Sequence, residues 1–199
     1  MVTSTSSSFS LTTSNLSRNS SPYIQRPASG PKMPYFALSI KAQCENVTDL
    51  QPADDAFTVM CRVKCTSCHE VHPNIVGMEY GEEKELTRSR GTAHLVMSCN
   101  FCRSQMSAKF DEPTDKAPLF RPYAPPEASG ANFQVLCVAD CRGMEMVAFE
   151  PTGIWQCRST ASKTTFTDVT FEDGEWTDYD EKGDVPVSIM ELESKWDRR

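Results

Sequence analysis

From Phe36 the chain alternates: Phe36, Leu38, Ile40 and Ala42 fall on one side of an extended backbone, Ala37, Ser39 and Lys41 on the other. A period of two predicts a strand with one buried face. CENVTDLQPADD then reads as a turn-rich connection. A second alternation sets Phe57, Val59, Cys61 and Val63 against Thr58, Met60, Arg62 and Lys64, and predicts a strand that delivers Cys65. HLVMS predicts another strand before Cys99, and MSAKF a returning one after Cys102. The last third restarts with FQVLCVADC, MEMVAF, KTTFTDVTF and VPVSIMELE, all short, β-branched or aromatic, with turn residues between them. No long helical period occurs, so the predicted fold class is all-β.

These segments group into two halves. PTDKAPLFRPYAPPEASG holds four prolines between Pro118 and Pro126, which breaks regular structure and predicts a linker over 113–131. It separates a subdomain at 34–112 from a second at 132–199. The halves echo each other: Cys44 is followed by Val47, Pro52 and Cys61, and Cys141 by Met144, Pro151 and Cys157. A duplicated unit would explain this, giving two similar small β-sandwich-like subdomains. Residues 1–33 carry ten serines, four threonines and no acid, and are expected to form a disordered extension. The same composition also describes an organellar transit peptide, which stands as the alternative to a cytoplasmic protein.

The candidate chemistry lies at two strand ends. CTSC at Cys65–Cys68 and CNFC at Cys99–Cys102, 30 residues apart, form two Cys-x-x-Cys pairs, each able to turn two sulfurs toward one ion. Cys65, Cys68, Cys99 and Cys102 are therefore the expected ligands of one zinc ion, in the first subdomain. A redox dithiol needs a helix after a strand, which neither pair predicts. Haem attachment at CTSCH, with His69 as an axial ligand, requires export and leaves the second pair unexplained. Structural disulfides are disfavoured because no export signal is visible. The other five cysteines read as small buried hydrophobes, with Cys137 and Cys141 a weak second ligand pair. His72 and His94 read as surface or strand residues. Arg62, Lys64 and Arg103 flank the sulfurs and would offset their charge.

Charge narrows the partners. The chain carries a net charge of -7, and because the first 33 residues hold three basic side chains and no acid, the remainder stands at -10. That balance opposes nucleic-acid binding. No apolar run is long enough for a membrane helix. EDGEWTDYDEKGD sets seven acids against one lysine around Trp176 and Tyr179. It reads as an acidic loop whose aromatics either anchor a partner or tuck back onto the sheet.

ENVTDLQP, KCTSC, RGTAHLVMSCNFC, DCRGME, VAFEP and EWTDYDEK, in this order, resemble the eukaryotic CXXC motif-containing zinc-binding protein family from about Pro34 to the C-terminus. The resemblance implies zinc at Cys65, Cys68, Cys99 and Cys102, an all-β architecture of two similar subdomains, and no established catalysis. With no hydrolytic motif in the sequence, the expectation is a monomeric, non-enzymatic protein whose structural zinc supports a protein-interaction surface. The alternative is a metal-handling or thiol-redox protein using the same sulfurs.

Overall fold

The structure is a computed structural model that describes residues 34–87, 90–126 and 132–199 besides Met1. The extension expected at 1–33 thus lies, but for Met1, outside the described residues. The first half contributes β1 (Tyr35–Glu45), β2 (Val47–Pro52), β3 (Val59–Cys65), β4 (Val76–Met78), a small hairpin of β5 (Lys84–Glu85) and β6 (Thr92–Ala93), β7 (Leu95–Ser98) and β8 (Gln105–Phe110). The second contributes β9 (Gln134–Arg142), β10 (Met144–Glu150), β11 (Trp155–Ser159), β12 (Thr165–Val169), β13 (Trp176–Asp180) and β14 (Val185–Arg198). No helix occurs among the described residues, so the fold is all-β.

The pairing is symmetric about the contact of β1 with β9. The six-stranded sheet runs β13-β14-β1-β9-β8-β7, so each half supplies three strands in mirrored order. Two smaller sheets, β10-β3-β4 and β2-β11-β12, repeat the relation, because β10 of the second half joins the first half's strands and β2 does the converse. The two halves are therefore similar, as the faint sequence echo implies, but each lends a strand to the other. The lending is geometrically short-range: only Asn46 separates β1 from β2 and only Gly143 separates β9 from β10. Both are left-handed, with φ of 55° and 73°, which lets the chain leave one sheet and enter the next. Gly143 also lacks room for a side chain, since an added Cβ would lie 2.5 Å from Gln105 O.

Several expectations are corrected here. CENVTDLQPADD is not merely a connection: VTDLQP is β2, paired with β11. β1 is buried on both faces from Phe36 to Ile40, because it lies between β14 and β9 and Ala37 and Ser39 are small enough to be covered. WTDYD forms the edge strand β13 rather than a loop. The described part of the Pro-rich segment packs inward through Leu119, Phe120 and Tyr123, and the Tyr123 hydroxyl donates to Ala42 O at 3.0 Å.

The core is joined by edge-to-face aromatics. Trp155, fully buried, packs with Phe57 at 5.2 Å and Phe171 at 5.6 Å between ring centroids, and Phe57 continues to Phe120 at 5.8 Å. These rings come from both halves and the Pro-rich segment, so one hydrophobic core serves the whole.

Candidate metal centre

The two knuckles are hairpin turns with the same backbone plan. Cys65 ends β3, and its amide donates to Glu70 O at 2.9 Å while His69 N returns to Cys65 O at 2.9 Å. Cys99 follows β7, and its amide donates to Ser104 O at 2.9 Å while Arg103 N returns to Cys99 O at 3.0 Å. His69 and Arg103 both have φ of 62°, the left-handed step that closes each turn after its second cysteine. The two sulfurs of a turn are thereby aimed at one point.

The points coincide. All four Sγ atoms of Cys65, Cys68, Cys99 and Cys102 lie within 4.8 Å of one another. Across the turns, Cys65 Sγ is 3.7 Å from Cys102 Sγ and Cys68 Sγ is 3.6 Å from Cys99 Sγ. A tetrahedron with zinc–sulfur bonds of about 2.3 Å has edges of roughly 3.8 Å, so the arrangement fits a single zinc ion. Among the described residues this is the only cysteine, histidine and carboxylate group of that kind.

Hydrogen bonds favour the thiolate form at Cys65 and Cys102, whereas at Cys68 the Glu70 amide is outweighed by burial and the three neighbouring sulfurs, which push its thiol up to about 12. Ser67 N donates to Cys65 Sγ at 3.4 Å. Ser104 Oγ lies 3.2 Å from Cys102 Sγ, and its hydroxyl hydrogen, with the Ser104 amide, draws the Cys102 thiol down to about 6. Cys65 and Cys99 are buried, and Cys102 is exposed. Outside the sulfurs, Asn100 Nδ2 and His72 Nε2 are 3.1 Å apart and link the knuckles directly. Neither Ser104 nor this link stood out in the sequence; a serine two residues after the last cysteine was the available signal.

The remaining candidates sit elsewhere. His94 is buried and its Nδ1 accepts from Phe110 N at 3.0 Å, with burial lowering its pKa. Arg62 reaches Glu150 at 3.8 Å rather than a sulfur. Cys137 and Cys141 are buried in β9, and burial raises both thiols. Burial likewise pushes Cys61 and Cys157 up to about 12, as inert core thiols require, and Cys44, half-buried rather than in the core, up to about 11. Trp176 is half-buried against Phe166, with ring centroids 5.4 Å apart, whereas Tyr179 is exposed.

A two-knuckle cysteine cluster on a duplicated all-β frame defines a class of zinc-binding proteins. The chain belongs to the family described as CXXC motif containing zinc binding protein, eukaryotic, which it matches over residues 37–197. It is 35% identical over 159 residues to a Schizosaccharomyces pombe UPF0587 protein, spanning 79% of this chain and 94% of that one. It is 31% identical over 157 residues to the human CXXC motif containing zinc binding protein, spanning 79% and 94%. The crystal structure of C1orf123 superposes with a TM-score of 0.73 at 28% identity, covering 83% of this chain and 99% of the other.

Proposed function

We propose that Cys65, Cys68, Cys99 and Cys102 hold one structural zinc ion that staples the β3 and β7 turns, and that the surface at this pole binds another protein without catalysis. The observation that carries the reading is the convergence of four sulfurs from two separate turns. Zinc ligation of this kind contributes about 10–16 kcal/mol of apparent folding free energy, enough to hold turns from different sheets together. Four sulfurs close the tetrahedron, so no position is left to activate water. Exposed side chains at the knuckle tips support an interaction surface there: Phe101 and Val71 are 59% and 43% exposed, and each adjoins one member of the Asn100–His72 link. Exposed apolar side chains held in place around a metal suit protein recognition better than phosphate binding.

Metal analysis of the purified chain tests the first part: one zinc is expected, and its loss in Cys65→Ser/Cys99→Ser. Zinc retained in that variant, or iron in its place, would reject the ligand set. Phe101→Ser/Val71→Ser tests the second, with partners in affinity purification expected to disappear while zinc remains. A metal-handling role is the second reading, favoured by exposed Cys102; release to a chelator within seconds would support it against a structural site.

A further inference from the structure

Both knuckles have counterparts in the second half, where the chemistry differs. Ladder positions fix the correspondence. Cys65 pairs with Met144, the first residue of β10, and Ser159 pairs with Val47, the first residue of β2. The next residue repeats too: Thr66 N donates to Gly143 O at 3.1 Å, and Thr160 N to Asn46 O at 2.9 Å. Cys65 N reaches Glu70 O, and Ser159 N reaches Thr164 O at 2.8 Å, the same number of residues on. His69 and Lys163, with φ of 62° and 65°, close the two turns. Ser159 therefore stands where Cys65 does, and Ser162 where Cys68 does.

The second turn follows the same rule. Leu95 faces Ala108 and Ser98 faces Gln105 across β7 and β8, while Trp176 faces Ile189 and Asp180 faces Val185 across β13 and β14. Arg103 and Asp184, with φ of 62° and 52°, take the left-handed step. Asp180 thus occupies the place of Cys99, and Gly183 that of Cys102.

These four positions converge as the cysteines do. Asp180 is 1% exposed, its Oδ2 accepts from Ser162 Oγ at 2.5 Å, and its Oδ1 accepts from the amides of Lys182 and Gly183 at 3.2 and 3.1 Å. Ser159 Oγ accepts from Ala161 N at 3.1 Å, as Cys65 Sγ accepts from Ser67 N. A Cβ placed on Gly183 would lie 2.6 Å from Asp180 Oδ2, so the fourth position also points inward.

We infer that the second half retains the tetrahedral ligand frame of a zinc knuckle pair, with the buried carboxylate of Asp180, clasped by Ser162 and the amides of Lys182 and Gly183, in the place of the metal. The natural residues leave little for a cation, since one anionic ligand is already saturated by donors and the glycine supplies none. The frame is a latent zinc site that four thiols would open. In the natural chain the clasp confines metal dependence to one end: zinc can leave the first knuckle pair while the second keeps its turns.

The test is Ser159→Cys/Ser162→Cys/Asp180→Cys/Gly183→Cys in the full chain, with metal content measured by mass spectrometry and cobalt substitution read by its thiolate absorption. About two zinc ions per chain and a doubled cobalt band are expected. In a Cys65→Ser/Cys99→Ser background the same four cysteines should still take up one ion, which separates this site from the first. A variant that gains no ion, folded or not, overturns the proposal. In the natural chain, amide exchange gives an independent measure. Chelator should expose the amides of His69 and Arg103 and spare those of Ala161 and Gly183, and Asp180→Ala should do the reverse. Loss of both sets under either treatment would overturn the separation of the two ends.

Discussion

His72 and Asn100 bridge the knuckles at 3.1 Å, beside the sulfurs and independent of them. His72 Nδ1 lies 2.9 Å from Asn74 O, which fixes the ring while its other nitrogen faces Asn100. The bridge resists separation of the turns, the motion by which an ion would escape. His72→Ala or Asn100→Ala should leave zinc content at one per chain and speed release to a chelator by about two- to tenfold, the equivalent of one hydrogen bond of about 0.5–1.5 kcal/mol. Stopped-flow absorbance with a coloured chelator measures it. An unchanged rate in both variants would show that the sulfurs alone hold the turns.

Tyr123 gives a second prediction, since its hydroxyl donates to Ala42 O from within a segment that reads as a linker. Tyr123→Phe removes one buried hydrogen bond and should cost about 1 kcal/mol in urea unfolding. Tyr123→Ala also empties a fully buried site and should cost about 3–5 kcal/mol. Two variants of equal, small effect would mean that the segment adds nothing to the core.

The convergence of Cys65, Cys68, Cys99 and Cys102 was legible because each pair is local. Cys-x-x-Cys after an apolar alternation fixes both the turn and its place at a strand end, and β3 alternates as the sequence predicts. What the chain concealed depends on distant partners. β2 reads as turn because Asp49 and Pro52 punctuate it, yet β11 supplies the ladder that makes it a strand. Leu119 and Phe120 lie among prolines, and it takes their burial and the aromatic contacts of Phe120 with Phe57 and Phe110 to show that they belong inside. β13 is hidden by its acids, one of which, Asp180, is buried because its hydrogen-bond donors lie on its own turn and on the turn after β11. The duplication showed as a few spaced residues; the strand order makes it plain.

Trp176 and Tyr179 separate packing from recognition. Trp176 packs edge-to-face on Phe166, while the exposed Tyr179 donates to Asp184 at 2.6 Å. Trp176→Ala should therefore lower stability by about 2 kcal/mol, or about 6 °C in the melting temperature of a chain this size. Tyr179→Ala should stay within about 0.5 kcal/mol. If Tyr179→Ala alone removed co-purifying partners, the interaction surface would belong on β13 instead of at Phe101.

Asp180 predicts how acid acts on the second half. Hydroxyl donors from Ser159 and Ser162, with the amides of Gly183 and Lys182, hold its carboxyl down to about 2, against 3.8 for a free aspartate. A group whose pKa is lower in the folded chain stabilises it fully above the unfolded value and loses that contribution as pH falls through the folded one. The window is therefore about pH 4 down to about pH 2. Nearby charges do not take over the role: Lys163 on the facing turn is directed to Thr160 O at 3.1 Å, and Asp184 is engaged by Tyr179. Asp180→Asn keeps the shape and removes the charge, so the difference in melting temperature between natural chain and variant should shrink steadily across that window. Measuring the difference cancels the many exposed acids that titrate in both. A difference that stays constant from about pH 5 to pH 2 would mean that the hydroxyls and amides hold a neutral acid equally well, and the carboxylate charge would have no part in the clasp.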